Sequence, residues 1–487
     1  MTRDVTVLRR EQQKHPEHQK HRDRSEPRTS APADAFDRRL IPPMILGSLL
    51  NPVNSSMLAV ALIPIGIALG APPSDTVWLV SALYLATAVG QPVVGRLVDT
   101  YGPRPLYLAG AALVGLAGAL GAVAPDLPVL VVARVLIGLG TCAGYPAAMY
   151  LIRSEGQRTG RNSPSGVLAA LSVATQVTAV IGPTLGGLLI GVGGWRTIFT
   201  VNVPLAAASL VLGWRRLPRT APATATGDGK RHGAGLDVPG IALFAAMLTS
   251  AMLFLMAPQV GRWYLPVVAA GAGVAFVVRE RRAAEPFIDL RLLGGNRPLI
   301  ATYVRQVLTF TVSYAFLYGY TQWLEAGRGL SASVAGLLLL PMFVTGIVAT
   351  STAGRRPKVR GKLVVGSLAQ IAACLVLLLV VGSSTPIWVL VGVAVVAGIP
   401  QGLNGLANQN ALYHQADPAR IGSSAGLLRT FTYLGALAAA AANASFFAGG
   451  ADTAGLHDLS LFVMACAAAL LVLTLADRSL RRIGVPS

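Results

Sequence analysis

The chain has 487 residues, of which 53% are hydrophobic and only 13% are charged, and its formal net charge is +19. Because a soluble protein carries about 25% charged residues, this composition excludes a soluble globular protein and predicts an all-α, polytopic membrane protein. The basic residues are grouped in a tail and in short links between apolar runs, which argues against a nucleic-acid-binding face.

Residues 1–40 form a polar tail that holds ten of the 40 Lys and Arg residues. Its composition predicts a disordered cytoplasmic segment without the apolar core of a signal peptide. His15, His18 and His21 recur every three residues, but neither Cys nor a packed core accompanies them, so we expect a solvated segment and no metal site. We also expect no cofactor, because the chain has neither a phosphate loop nor a cluster of ligating residues within its apolar runs.

Fourteen apolar spans follow the tail. Most have near the ~20 residues that cross the hydrocarbon core of a bilayer. We place them at 41–69, 76–97, 104–124, 127–152, 165–191, 196–214, 238–258, 263–279, 298–323, 332–353, 362–382, 386–408, 421–447 and 457–476. An even number of spans puts both termini on one side of the membrane.

The basic residues indicate which side that is. The links after even-numbered spans, with the carboxy-terminal end, carry 24 Lys and Arg, whereas the opposite links carry Arg196, Arg262 and Arg328. Positive residues favour the cytoplasmic side, so we expect a multi-pass protein of the cell membrane with both termini in the cytoplasm. All six tryptophans fall at span ends, as interface anchors do.

The link after span 2 contains a loop motif made of Gly95, Asp99, Gly102 and Arg104. Such a link combines a tight glycine turn with an acidic and a basic residue, which can pair with neighbouring helix ends as two halves of a transporter rock. Further motifs follow at Arg134, Gly138 and Gly140 in span 4, at Gly182, Pro183, Gly186 and Gly187 in span 5, and in the run Trp195-Arg196-x-Ile198-Phe199-x-x-Asn202-Val203-Pro204.

These motifs, in this order, resemble the major facilitator superfamily and its fourteen-helix drug–proton antiporter branch. Three later stretches share the resemblance, which covers residues 40–477: Pro286–Leu292, Ala335–Pro341 and Gly422–Leu428. The resemblance implies alternating access around a central site between two six-helix bundles. It divides the chain into a tail (1–40), a first bundle (41–214), a cytoplasmic loop (215–237), two extra helices (238–279), a second bundle (280–477) and a final tail (478–487).

Span 1 departs from the branch at Asn54, which stands where the branch has an Asp. An Asn carries no proton and forms no ion pair with a cationic drug, so whether protons are the coupling ion stays open. None of the 21 acidic residues falls in the middle third of a span. We therefore look for the site among the arginines and amides within the spans. Polar side chains cost free energy in a membrane, so each one is a candidate for a functional role.

Three arginines lie within spans, and the resemblance places Arg134 at the cavity or in coupling. If Arg305 and Arg429 face the cavity without a carboxylate partner, the site is electropositive and predicts an anionic or strongly hydrogen-bonding substrate. The alternative is that Arg305 reaches the cytoplasmic interface and Arg429 binds backbone carbonyls between helices. The remaining cavity candidates are amides, which have interhelical bonding as their alternative role: Asn51, Asn54, Gln176, Gln306 and Asn408.

We therefore expect a monomeric secondary transporter in the lipid bilayer that exports a small organic molecule or drug. The alternatives are a uniporter or an exporter of an anionic metabolite that is not coupled to protons, and a membrane sensor that binds a ligand without moving it. We do not expect an enzyme, because the spans contain no cluster of catalytic side chains.

Overall fold

The structure is a computed structural model. It describes residues 36–71, 73–159, 165–219, 237–256, 260–283, 286–288, 290–330, 332–354, 356, 358–447, 450–481 and 483. The predicted tail at residues 1–40 and the predicted loop at 215–237 lie largely outside the described residues.

In the first part of the chain, which we call the amino-terminal half, all described regular secondary structure is helical. Its helices are α1 (Ile41–Ala59), α2 (Leu62–Leu69), α3 (Pro73–Tyr101), α4 (Pro103–Ala122), α5 (Leu127–Thr141), α6 (Gly144–Thr159), α7 (Ser165–Gly193), α8 (Thr197–Thr200) and α9 (Asn202–Arg216).

Three predicted spans of this half are interrupted, and each interruption precedes a proline. Pro64, Pro146 and Pro204 are the third residues of α2, α6 and α9. A proline ring has no N–H to donate and clashes with the carbonyl four residues earlier, so within a helix it causes a kink or a break, whereas the first turn tolerates it. At the breaks between α1 and α2, α5 and α6, and α8 and α9, the proline lies in the first turn of the following helix.

Two helices and a short connecting helix separate this half from the carboxy-terminal half. The connecting region contains α10 (Val238–Met256), α11 (Tyr264–Arg282) and α12 (Leu290–Gly295). The carboxy-terminal half contains α13 (Arg297–Gln322), which continues into a π-helical turn at Trp323–Gly327, and then α14 (Ala332–Gly354), α15 (Val359–Leu379), α16 (Ile387–Gln415), α17 (Ile421–Phe446) and α18 (Thr453–Ala476).

Within the described residues, ten helices are long and apolar enough to cross a membrane, and Val238–Phe254 forms a shorter apolar helix. The predicted all-helical membrane architecture is confirmed. Every one of the fourteen predicted spans contains helix, but α1 with α2, α11 and α13 are not among the ten. The number fourteen therefore stays a prediction.

The two halves meet mainly along α3 and α17, a line of contact that we call the α3–α17 seam. Glycines let the two backbones approach closely there. A β-carbon at Gly426 would lie 2.7 Å from the carbonyl carbon of Gln91 and 3.0 Å from Cα of Pro92. Helices α7, α14 and α16 make a second contact between the halves.

The pair α10–α11, which we call the hairpin, packs beside the seam. Helix α10 contacts both α3 and α17, so it touches both halves. The ring of Phe244 on α10 lies 5.6 Å from that of Phe276 on α11 and 5.5 Å from that of Phe287, measured between centroids. These aromatic contacts hold the two helices together with the segment that precedes α12.

Candidate substrate cavity and its closure

Asp99 joins the two halves at one end of the seam. Its Oδ1 accepts a hydrogen bond from the Gly422 amide at 2.7 Å, and its Oδ2 accepts from the amide and the hydroxyl of Ser423 at 2.7 and 2.6 Å. The first amides of a helix have no partner within the helix and carry partial positive charge, so a carboxylate stabilises them. Asp99 on α3 thus binds the beginning of α17, and we call this contact the latch and its end of the molecule the latch face.

The other residues of the loop motif pack, turn the chain or bind within one half. Gly95 lies against Gly422, where a β-carbon would be 3.0 Å from Cα of Ser423. Gly102 has a φ of 85°, a backbone conformation that glycine adopts without strain, and it separates α3 from α4. Arg104 donates to the Trp214 carbonyl at 2.9 Å and lies over the Trp214 ring, so it binds within its own half rather than across the seam.

Two further contacts join the halves. Arg153 of α6 donates to the Tyr413 carbonyl at 3.4 Å, and its guanidinium lies 5.2 Å from the centroid of the Tyr413 ring. Gln176 of α7 donates through Nε2 to the Thr350 hydroxyl of α14 at 2.9 Å. The predicted site residue Gln176 therefore bridges the two halves.

Asn51 of α1 is bound from both halves. Its Nδ2 donates to the hydroxyls of Thr87 and Thr141 at 3.3 and 3.1 Å, and its Oδ1 accepts from the Tyr433 hydroxyl of α17 at 3.2 Å. The Tyr433 ring also lies 5.6 Å from the Tyr84 ring of α3. Asn51 thus lies where the two halves meet, next to aromatic rings from both.

Four tyrosines gather at this point, and we call them the tyrosine cluster: Tyr84, Tyr314, Tyr318 and Tyr433. Tyr314 and Tyr318 of α13 stack with 5.6 Å between ring centroids, and both lie near Tyr84. Sequence reasoning missed Tyr433. Tyr433 follows Arg429 by four residues, so both side chains lie on one face of α17. This spacing from an arginine within a span could have identified Tyr433 as a candidate.

Arg134 is buried beside the tyrosine cluster. Its Nε donates to the Leu79 carbonyl of α3 at 2.9 Å, and its Nη1 donates to the Asn54 carbonyl of α1 at 3.3 Å. It also interacts electrostatically with Tyr84. One guanidinium on α5 therefore ties three helices of the amino-terminal half together at the cluster.

Arg429 lies over an aromatic ring from the opposite half. Its guanidinium carbon is 4.1 Å from the centroid of the Tyr145 ring of α6, a cation–π contact. It also interacts electrostatically with Tyr314 and Tyr433. The structure thus shows a ring as its neighbour, where the sequence suggested backbone carbonyls as one possibility.

Arg305 has an acidic partner, so the premise of an arginine without a carboxylate is wrong for this residue. Its side chain is fully buried, its Nη1 donates to Asp477 Oδ2 at 2.8 Å, and its Nη2 donates to the Thr302 hydroxyl at 2.6 Å. Asp477 immediately follows α18, so the ion pair connects α13 to the end of α18. The sequence gives no sign that Arg305 of α13 would reach Asp477.

The other amides bind within one half each. Gln306 donates to the Thr432 hydroxyl at 2.8 Å, and Asn408 donates to the Thr309 hydroxyl at 3.2 Å. In the amino-terminal half, Asn54 Nδ2 donates to Asn202 Oδ1 at 2.7 Å. These three candidates therefore form interhelical bonds, and the structure does not bring them together with Asn51 and Gln176.

The four residues of the span 5 motif face different surroundings. Gly182 lies against Ser56 of α1, and a β-carbon at Gly186 would be 2.9 Å from the Met57 carbonyl oxygen and 3.0 Å from Met57 Cα. A β-carbon at Gly187 would meet no atom within 4 Å. Pro183 lies within α7. Only part of the motif is therefore used to pack α7 on α1.

This difference gives a matched pair of substitutions. We expect Gly186→Ala to lower the melting temperature of the purified protein, because overpacking typically costs about 1–3 kcal/mol. Gly187→Ala, one residue further along the same helix, makes the same chemical change in open space and should leave the melting temperature unchanged or slightly raised. Equal melting temperatures for the two variants would contradict the packing described here.

Comparison with known proteins identifies sequence relatives. Residues 44–440 match the family model described as Major Facilitator Superfamily. The chain is 32% identical to the uncharacterized MFS-type transporter YwoD of Bacillus subtilis over 80% of this chain and 86% of that protein. It is 28% identical to the methylenomycin A resistance protein of Streptomyces coelicolor over 75% and 76% of the two chains. It is also 31% identical to the tetracenomycin C resistance and export protein of Streptomyces glaucescens over 67% and 61%.

The fold also matches a solved structure. The human organic anion transporter MFSD10 superposes with a TM-score of 0.62 at 17% identity, covering 91% of this chain and all of that one. At this identity the likeness concerns the fold alone.

Proposed function

The chain belongs to the major facilitator superfamily, a family of transporters, and we propose that it exports a small organic molecule or drug across the cell membrane by alternating access. The observation that carries this proposal is the position of the tyrosine cluster and Arg134 where the two halves meet. Alternating access exposes a site between two halves to one side of the membrane at a time as the halves rock against each other.

We further propose the fourteen-span topology of the drug–proton antiporter branch, with 41–214 and 280–477 as the two bundles and 238–279 as the extra helices. The helices found in every predicted span and the excess of basic residues in one set of links support it. In this topology both termini and the latch face are cytoplasmic. With the latch formed, the structure then corresponds to a state closed at the cytoplasmic face.

The proposed substrate carries an apolar or aromatic body and at least one hydrogen-bond acceptor. Tyrosine rings supply flat apolar surface together with hydroxyls. Among the residues that the structure describes, Arg134 donates through Nε and Nη1, and we assign Nη2 to bind a substrate oxygen. Resistance to methylenomycin A and to tetracenomycin C, after which two relatives are named, is consistent with organic substrates of this kind.

A second candidate function depends on whether transport is coupled to protons. Asn54 stands where the branch carries an Asp, and its side chain is bound to Asn202 rather than to Arg134. Arg134 and Arg429 both lie at the tyrosine cluster, and no acidic residue falls in the middle third of a span. This favours, as the second candidate, an exporter of an anionic metabolite that does not use protons at this position.

Efflux assays test the proposal. An efflux-deficient host that expresses the protein should gain resistance to some compounds of a chemically varied panel, and proteoliposomes should move those compounds. We expect Tyr433→Leu to change which compounds are moved, because it removes a ring and the hydroxyl bound to Asn51. Tyr264→Leu, at an exposed tyrosine that begins α11, is the control and should change nothing.

Imposing and collapsing a pH gradient across the proteoliposomes then separates the two candidates. Flux that disappears with the gradient supports proton antiport, and flux that persists supports the uncoupled exporter. Binding of a compound without any flux would identify a sensor and overturn the proposal.

A further inference from the structure

Two carboxylates meet in the hairpin at the latch face. Asp237 immediately precedes α10, and Glu280 lies in the last turn of α11; their exposed fractions are 7% and 1%. Asp237 Oδ1 accepts from the Gly240 amide at 3.0 Å and from Arg279 Nη2 at 2.6 Å. Glu280 Oε2 accepts from the Ile288 amide at 3.0 Å. One oxygen of each carboxylate is therefore satisfied.

The second oxygen of each carboxylate points to the same place. Asp237 Oδ2 and Glu280 Oε1 are buried and receive no hydrogen bond from any residue that the structure describes. Both oxygens lie over Gly240, where a β-carbon would collide with each of them. Two buried carboxylate oxygens that converge in this way repel when both groups are ionised, whereas a single proton between them removes the repulsion and gives each oxygen a partner.

The surroundings of the pair shift the pKa values of its two carboxyls in opposite directions. Within the part of the chain that the structure describes, Asp237, Arg96 and Arg279 are the charged groups that act on Glu280. Burial, reinforced by the charge of Asp237, raises the pKa of Glu280 to about 7. Burial also acts to raise the pKa of Asp237, but the bonds from Arg279 and Gly240 outweigh it and hold that pKa below its usual range. Arg96 donates to the Pro286 and Phe287 carbonyls, so it is shared with the backbone.

We propose that Asp237 and Glu280 form a proton-binding site, in which the Glu280 carboxyl carries a proton and donates it to Asp237 Oδ2. Proton release to water leaves two buried anions facing each other and weakens the attachment of the hairpin to α3. Arg96 lies three residues before Asp99 on α3, and α10 touches both sides of the seam. The pair is thus a pH-sensitive element next to the latch, and only its effect on export rests on the proposed function.

Thermal unfolding of the full-length protein in nanodiscs tests the site without any substrate. A carboxyl whose pKa is raised on folding binds more protons in the folded state, so for Glu280 the stabilising effect is present at low pH and is lost as pH rises from about 4.5 to about 7. Glu280→Gln keeps a donor toward Asp237 and cannot titrate. We expect the melting temperature of the unaltered protein to fall relative to that of Glu280→Gln across this range.

Two further variants make the test specific. Glu325→Gln changes an exposed carboxylate in the π-helical turn that follows α13, and its curve should run parallel to that of the unaltered protein. Asp237→Asn removes the facing charge, so it should move the midpoint of the pH-dependent difference to lower pH, a shift that loss of packing alone does not produce.

Two results would overturn the proposal. One is a constant difference in melting temperature between the unaltered protein and Glu280→Gln across the pH range. The other is a rise in melting temperature with sodium chloride, but not with choline chloride, that is lost in Glu280→Gln; it would assign the pair to a sodium ion. Because neither readout involves transport, absence of flux would count against the proposed function and leave this site standing.

Discussion

Replacing Arg134 with Gln should reduce transport by at least about tenfold at equal protein level, since hydrogen bonds from a charged group contribute about 1.5–3 kcal/mol each and this guanidinium makes two. Its bonds to the Leu79 and Asn54 carbonyls fix α3 and α1 beside the tyrosine cluster. The change also removes the positive charge at the proposed site. Initial rates of efflux from proteoliposomes, normalised to the protein incorporated, measure the effect.

Arg196→Gln is the matched control for Arg134→Gln. Arg196 belongs to the same half, donates to the Ala124 carbonyl at 3.1 Å and lies over the Trp195 ring. Unlike Arg134, it lies in the link between α7 and α8. We expect this variant to retain transport. Arg134→Lys keeps the charge but has no planar fork to reach both carbonyls, so it should restore only part of the rate. Normal transport by Arg134→Gln would remove this residue from the site.

Substituting Gly426 with Ala should impair closure of the seam. The new methyl group would meet the backbone of Gln91 and Pro92, which has no flexible end to move away. Overpacking costs about 1–3 kcal/mol, which corresponds to a shift of about 5- to 150-fold toward the state with the seam open. We expect transport to fall by a similar factor, because the proposed transport cycle requires the α3–α17 seam to close in one of its states.

A cysteine at Thr430 reports the state of the seam directly. Thr430 is 1% exposed and donates to the Ala88 carbonyl of α3 at 2.7 Å, so a thiol there should react slowly with a membrane-impermeant maleimide while the seam is closed. Adding Gly426→Ala should speed that reaction, whereas Gly187→Ala should not. The native cysteines provide the background rate, and Cys142 and Cys374 are buried. An unchanged rate with Gly426→Ala would show that the seam tolerates the methyl group.

Much of the fold was predictable because membrane helices are specified locally. A run of apolar residues long enough to cross the bilayer needs no information from the rest of the chain. For the same reason the Asp99 motif pointed to a contact with a neighbouring helix end, and the structure shows that end to be the start of α17. Arg134 could be selected because a charge in a span is rare and costly.

The partners of these residues were not predictable, because they depend on how distant helices rotate against each other. Arg305 pairs with a residue 172 positions away, and Asn51 accepts from one 382 positions away. Gly186 and Gly187 are adjacent in the sequence, yet only one faces α1. Neighbouring helical residues lie about 100° apart around the axis, and a Gly-Gly pair alone does not reveal which one points inward.

The double attachment of α10 has a mechanical consequence. In the proposed cycle the two halves tilt apart, and α10 cannot keep its contacts with both of them, so each turnover has to separate this helix from one half. The surface that it leaves is apolar, and in the proposed topology acyl chains fill it. Turnover by this protein should therefore depend on how readily the surrounding lipid enters that crevice, and chain length or cholesterol content would then set its speed.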